Sequence, residues 1–357
     1  MRGDQTRLCL VGDSGSVHLK RWAEHFVKDN ELLVVSDSPE PIPNVRVEQV
    51  FTMGAGIKNL RKVRTMRRLI REFNPDIVHG HYLTVGGLYA ALSGGKRIVG
   101  SAWGSDIYYG PKRSVRERMI LKYVLRKCDF IFAGTKDMAD GVREHGYKGD
   151  LAIFRFGVDP TVFKRTGPRS VTGFNVLSIR PCSKIYNPLV VLEGFRMGLP
   201  QMGSSLLWMF DFGNAIDEVH RAVDADPLLK ERVRFLPRKP YGQMVEVYNG
   251  ADIAVSIPNS DSAAASVLEA MACEVPVIAS DIPAMREWIE EGATGYLTVI
   301  DPARVADKMR KAYSVRVMLG PMGRRAREKV LDEKNQGTFE SNISIAEDAY
   351  RKLMASP

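Results

Sequence analysis

A chain of 357 residues is longer than one hydrophobic core usually organises, so two domains are expected. A composition that is 45% hydrophobic and 26% charged excludes a disordered chain, and no stretch approaches 18 consecutive apolar residues, which excludes a predicted membrane-spanning helix. The net charge of +9 is uneven: residues 1–170 hold 29 Lys and Arg against 18 Asp and Glu, residues 171–357 hold 22 against 24, and the positive half favours anionic partners.

The first half alternates short apolar runs with amphipathic stretches, the pattern of βα units and a parallel sheet. It predicts strands at Leu8–Val11, Glu31–Val35, Val45–Gln49, Ile77–Val78, Ile98–Ser101 and Phe130–Ala133. The intervening helices are predicted at 17–29, 57–73, 84–92, 114–127 and 136–145. Residues 166–173 carry Gly and Pro without apolar periodicity and read as a linker. A second series predicts strands at Phe174–Ile179, Leu206–Phe210, Val233–Leu236, Ile253–Ser256, Val275–Ala279 and Gly295–Thr298. Its helices fall near 187–197, 214–223, 241–249, 266–273, 283–290, 302–313 and 321–331. The expectation is two open α/β sheets: residues 1–168 as one domain and 169–337 as the other, sharing a cleft at the carboxyl ends of their strands. The final stretch, about 338–357, reads as a helix returning to the first domain.

The four cysteines, Cys9, Cys128, Cys182 and Cys273, form no C-x-x-C pair and suit buried thiols in a reducing cytosol. The apolar run Leu8–Val11 is too short for a signal peptide, so a cytoplasmic location is expected. Two basic stretches stand out. Residues 57–73 place apolar residues at helical spacing among seven cations, and residues 112–127 set seven cations against Glu117 alone. Such helices can rest on an anionic membrane face, the inner face in this reading; an ordinary solvated helix face is the alternative. Of nucleic-acid binding there is no helix-turn-helix, zinc or aromatic RNA-binding pattern.

The chemistry concentrates in 253–298. A strand ends at Pro258, a loop of small residues follows, Asp261-Ser262-Ala263-Ala264-Ala265, and a helix opens near Ser266-Val267. Small side chains let a ligand approach the backbone, and the unpaired N–H groups of a helix start suit a diphosphate. Glu269 lies one turn on, placed to accept from a ribose diol, and Asp261 stands at the mouth of the loop. Just past the linker, a strand delivers Arg180, and Lys184 follows four residues later, so two cations can converge on a leaving diphosphate. With the helix start they leave a metal unnecessary. Asp224-Ala-Asp226 has the form of a metal-binding pair but lacks a preceding strand and reads as a solvated loop.

The segment from Asp261 and Glu269 through Ala270-Met-Ala, Val275-Pro-Val-Ile and Thr294-Gly-Tyr-Leu resembles the donor site of the family 4 glycosyltransferases. That resemblance implies the GT-B fold, two Rossmann-like domains facing each other across a cleft. It implies a sugar moved with retention of configuration from a UDP- or GDP-sugar to a glycan or lipid-linked acceptor, in cell-envelope or polysaccharide biosynthesis. The family's usual Glu and Gly-Phe-Gly loop are here Asp261 and Ser262-Ala-Ala-Ala265, and its basic pair is usually five apart. By the same resemblance Gly15, in the turn Gly12–Ser16, lies near the donor phosphates, and His18 near the acceptor. Asp76-Ile-Val-His79-Gly-His81 matches the family's Asp-Ile-Val-His-x-His, and His81 is read as touching the acceptor or transferred sugar rather than a metal. Trp103 stands where many relatives carry a histidine near the reacting carbon. A tryptophan cannot be a base, so Asp106 or the departing phosphate is left to take the acceptor's proton. A sugar-nucleotide 2-epimerase of the same architecture and a non-catalytic nucleotide-sugar-binding protein are the alternatives.

Overall fold

The computed structural model describes residues 6–38, 40–50, 60–108, 110–168, 173–261 and 265–355. They form two compact units: one runs to Arg155 and resumes at Ile343, the other spans Phe156–Asn342. The division thus falls ahead of the stretch read as a linker, of which residues 169–172 lie outside the described residues.

In the first unit seven parallel strands lie in the order β3-β2-β1-β4-β5-β6-β7. They are β1 Arg7–Gly12, β2 Glu31–Ser36, β3 Arg46–Gln49, β4 Ile77–His81, β5 Ile98–Ser101, β6 Phe130–Ala133 and β7 Asp150–Ile153. The central strands are apolar on both faces because helices cover both, as an all-parallel sheet requires. β1 sits between β2 and β4, with Leu8 opposite both Leu32 and Ile77. The β7 edge was not anticipated: its apolar run is short, and it is only partly buried.

One face of this sheet is packed by the helices Leu60–Phe73, Gly87–Ser93 and Val115–Lys127, which bury Met66, Ile70, Leu88, Leu121 and Val124 in a common core. The opposite face carries Trp22, from the helix Val17–Phe26, ringed by Phe132, Phe154 and Tyr350. Tyr350 comes from the last helix, Glu340–Ala355, whose residues from Ile343 belong to this unit. Trp22 Nε1 donates to the Tyr350 hydroxyl at 3.0 Å, and Lys352 pairs with Asp150 at 2.6 Å.

The second unit holds six parallel strands ordered β10-β9-β8-β11-β12-β13. These are β8 Asn175–Pro181, β9 Leu206–Phe210, β10 Val233–Leu236, β11 Ile253–Ser256, β12 Val277–Ser280 and β13 Gly295–Thr298. Separate cores fill its two faces, one around Leu177, Met271 and Trp288 and one around Phe195, Val255 and Met309. The helix expected to end at 197 continues from Pro188 to Met202 through Pro200, because Leu199 and Met202 are buried in the second of these cores. The helix expected over 283–290 is shorter, Pro283–Arg286. All four cysteines are buried and free.

Candidate active site

In each sheet the strand order reverses beside its first strand, and an open α/β sheet binds ligands outside the carboxyl ends at that switch point. In the first unit the switch lies between β1 and β4, in the second between β8 and β11.

In the second unit β8 delivers Arg180 and β11 ends at Ser256. Arg180 Nε donates to Ser256 Oγ at 2.9 Å, its Nη2 pairs with Asp261, and its guanidinium lies over the Tyr186 ring, 5.1 Å from the centroid. Both charged side chains of the pair are about seven-eighths buried, Arg180 12% and Asp261 13% exposed. Asn187, at φ 50°, ties the two strand ends together, its Nδ2 donating to the Ile257 carbonyl at 2.9 Å and to Asn259 Oδ1 at 3.0 Å. Ser262, Ala263 and Ala264 lie outside the described residues.

The helix Ala265–Ala272 then begins, one residue earlier than expected. Val267 is fully buried, and Ser266 Oγ is buried with no hydrogen-bond partner among the described residues. Glu269, one turn in, accepts at 2.7 Å from the hydroxyl of Tyr248, whose ring is fully buried and whose pKa burial pushes well up. Tyr248 therefore stays a neutral donor and fixes one Glu269 oxygen. The sequence reading missed Tyr248. The buried face Val247, Tyr248 and Ala251 marked it, because a buried tyrosine tip must find a partner.

Lys184 does not join Arg180. It opens a 3-10 turn, its side chain is 68% exposed, and its Nζ pairs with Glu218 at 2.9 Å, an exposed pair that holds the Glu218 carboxyl below its usual range. The expected convergence of two cations is corrected to a single partly buried guanidinium. Asp226 is the N-cap of the helix Pro227–Arg232, accepting from the backbone N–H of Leu228 at 2.9 Å and of Leu229 at 3.3 Å. Asp224 pairs with Lys230 at 3.3 Å, so the two carboxylates serve local structure.

At the first unit's switch point, Gly15 is exposed in the turn after β1, its N–H donating to Asp13 Oδ1 at 2.8 Å. At the end of β4, His81 is 1% exposed and stacks on His79, ring centroids 4.2 Å apart. Both His81 ring nitrogens are buried without a hydrogen-bond partner among the described residues, and burial lowers its pKa to about 3. His18 meets the Trp103 ring edge-on at 5.4 Å, and burial lowers its pKa to about 4. Neither histidine is a good base near neutral pH. Tyr82 follows at φ 66°, an unusual setting for a bulky residue, and opens a π-helical turn, a feature frequent at functional sites.

Asp106 is corrected as a candidate proton acceptor. It is fully buried and accepts from the backbone N–H of Leu83 at 2.8 Å, of Gly104 at 2.8 Å and of Trp103 at 3.1 Å. Burial pushes its pKa up and these bonds oppose the shift. Its carboxylate shapes the loop that presents Trp103 and has no opening toward a substrate. The His79 ring is set in the same way. Trp22 Nε1 donates to the Tyr350 hydroxyl, which bonds His79 Nδ1 at 2.6 Å, while His79 Nε2 bonds Ser101 Oγ at 2.7 Å.

Comparison with known proteins agrees with this architecture. Residues 7–135 match the family model Glycosyl transferase 4-like and residues 224–329 match Glycosyl transferases group 1, together well over half of the chain. Sucrose-phosphate synthase from Thermosynechococcus elongatus superimposes with a TM-score of 0.83 at 15% identity, over 99% of this chain and all of that one. HepE of Anabaena, solved with UDP and glucose, gives 0.81 at 15% identity over 97% of this chain and all of its own. In sequence, N-acetyl-alpha-D-glucosaminyl L-malate synthase of Bacillus anthracis is 24% identical over 284 residues, 75% of this chain and 73% of that protein. D-inositol 3-phosphate glycosyltransferase of Nocardia farcinica is 40% identical over 70 residues, 19% of this chain and 15% of its own length.

Two Rossmann-like units with this strand order define the GT-B architecture, and the two matched family models make the chain a glycosyltransferase. The chain belongs to the family 4 type of these enzymes.

Proposed function

We propose that the protein transfers a sugar from a UDP- or GDP-sugar to a glycan or lipid-linked acceptor with retention of configuration, in cell-envelope or polysaccharide biosynthesis. The observation that carries this reading is the partly buried Arg180, fixed by Ser256 and Asp261 at the second switch point, beside a helix start with an unpartnered Ser266 hydroxyl. HepE, with the same fold, was solved with UDP-glucose, which supports a nucleotide-sugar donor.

In this reading Glu269, steadied by Tyr248, accepts from the ribose hydroxyls. Arg180 offers five N–H donors, of which Ser256 and Asp261 engage two. The rest, with the amides opening the helix at Ala265, stabilise the negative charge that grows on the diphosphate as the sugar–oxygen bond breaks; removing one such donor costs about 3 kcal/mol. No metal is required. His18, His81 and Trp103, which meet at the first unit's switch point, serve the acceptor in this reading. As Asp106 is closed off and both histidines are weak bases, the departing phosphate oxygen takes the acceptor's proton while the new bond forms on the same face of the sugar. Face and configuration are thereby kept.

The test is a thermal-shift panel of UDP-, GDP- and ADP-sugars, followed by proton NMR of the product formed with the stabilising donor in chelator. A ligand at 100-fold its Kd adds about 2.7 kcal/mol to stability. An α-linked donor should give an α-linked product with chelator present. A β-linked product would overturn retention, loss of turnover in chelator would overturn metal independence, and no donor response at all would overturn the whole reading.

A further inference from the structure

We propose that the outer face of the helix Val115–Lys127, continued by the basic face of the helix Leu60–Phe73, docks this protein on an anionic lipid surface. The argument begins with an apolar stripe that the fold leaves uncovered. The helix Val115–Lys127 spends Leu121, Val124 and Leu125 on the core, yet Val115 is 68% exposed, Met119 67% and Tyr123 36%. These three recur every fourth residue, so they form one stripe along the helix, roughly opposite Val124. Arg126 falls within the stripe, Arg116 and Lys127 on one flank, Lys122 and Arg118 on the other, all exposed.

This helix does not stand alone. It and the helix Leu60–Phe73 both pack on Gly87–Ser93 and bury residues in the same core, so the three lie as one layer on one face of the sheet. Arg67 Nε, donating to the Leu92 carbonyl at 2.9 Å, ties two of them together. Arg61, Arg64, Arg67, Arg68 and Arg71 are exposed on the first helix. Across the two outer helices stand eleven cations and only two acids, Glu72 and Glu117. Glu72 is answered by Arg68 at 3.7 Å, and Glu117 is partly buried.

Charge names an anionic partner, and the stripe selects among anionic partners. Nucleic acid would use the cations but has nothing to offer Val115 and Met119 in the middle of them. A bilayer takes both: headgroups meet the cations, and the apolar tips enter the boundary with the acyl chains, the arrangement of an interfacial amphipathic helix. Each cation near an anionic leaflet is worth about a five-fold gain in partition. The surface belongs wholly to the first unit and does not depend on the donor bound by the second.

The experiment is flotation of the full chain with vesicles of phosphatidylcholine, alone or mixed with phosphatidylglycerol, alongside a gel shift with a single-stranded DNA oligonucleotide. Wild type should float with the mixed vesicles only, and release as salt is raised. V115D/M119D, at exposed positions, should weaken flotation about tenfold or more while leaving thermal unfolding and donor-induced stabilisation as in wild type. The reversal K122E/R126E/K127E should abolish it, and V317D, at a position 83% exposed in the other unit, should change nothing. The proposal is overturned if wild type does not float. It is equally overturned if V115D/M119D floats as wild type does, or if the oligonucleotide binds more tightly than the mixed vesicles, because the surface is then a plain polycation.

Discussion

Arg180 makes three kinds of contact at once, a hydrogen bond to Ser256, an ion pair with Asp261 and a stack on Tyr186. A lysine cannot reproduce that fork, so R180K should lose donor response nearly as fully as R180A. Donor titration of both variants checks this, and full retention by R180K would reduce Arg180 to a point charge. The Tyr248 hydroxyl acts through Glu269, and Y248F should raise the KM for donor several-fold while kcat changes little, with unfolding lowered by about 1 kcal/mol for the lost bond. A fall in kcat at unchanged KM would contradict its role in positioning. That Arg180 and Asp261 stand at strand ends and Glu269 one turn into a helix was legible from their spacing. The answering groups were not. Glu218 beside Lys184 and the Leu83 N–H on Asp106 are brought there by chain folding, which sequence spacing does not express.

The element that most constrains the first switch point is the turn after β4. An added Cβ on Gly86 would sit 2.2 Å from the His81 carbonyl oxygen and 2.4 Å from that of Val11. Both are backbone atoms of central strands and cannot yield. G86A should therefore destabilise the protein by about 3 kcal/mol or more, read by denaturant unfolding, and a loss under 1 kcal/mol would show the turn to be adaptable. Apolar runs and their periodicity found most elements to within a few residues, since buried parallel strands read as unbroken apolar runs. They failed where tertiary packing overrode local signals. The helix Pro188–Met202 runs through Pro200 because its last turn is buried, and β7 forms because β6 offers an edge to Asp150–Ile153.

At the scale of the whole molecule, two units each carry their own core, and the first encloses His79 and His81 in neutral form. Both have pKa values lowered by burial, while in the unfolded chain they titrate near 6.5. Above that pH neither state binds a proton at these sites and stability is unaffected. As pH falls from 6.5 toward 4 the unfolded chain gains protons that the folded chain refuses, so stability drops, by up to about 1.4 kcal/mol per pH unit for each histidine. Tm followed across that window should fall, and less steeply in H81F; parallel profiles for the two proteins would contradict the buried neutral pair.

The account rests on the second unit holding a nucleotide sugar by its diphosphate and ribose. Calorimetric titration of the donor into wild type, R180A and E269A measures this directly. The prediction is a Kd raised about tenfold or more in each variant, the loss expected for a hydrogen bond to a charged group. Equal affinity in all three would contradict it.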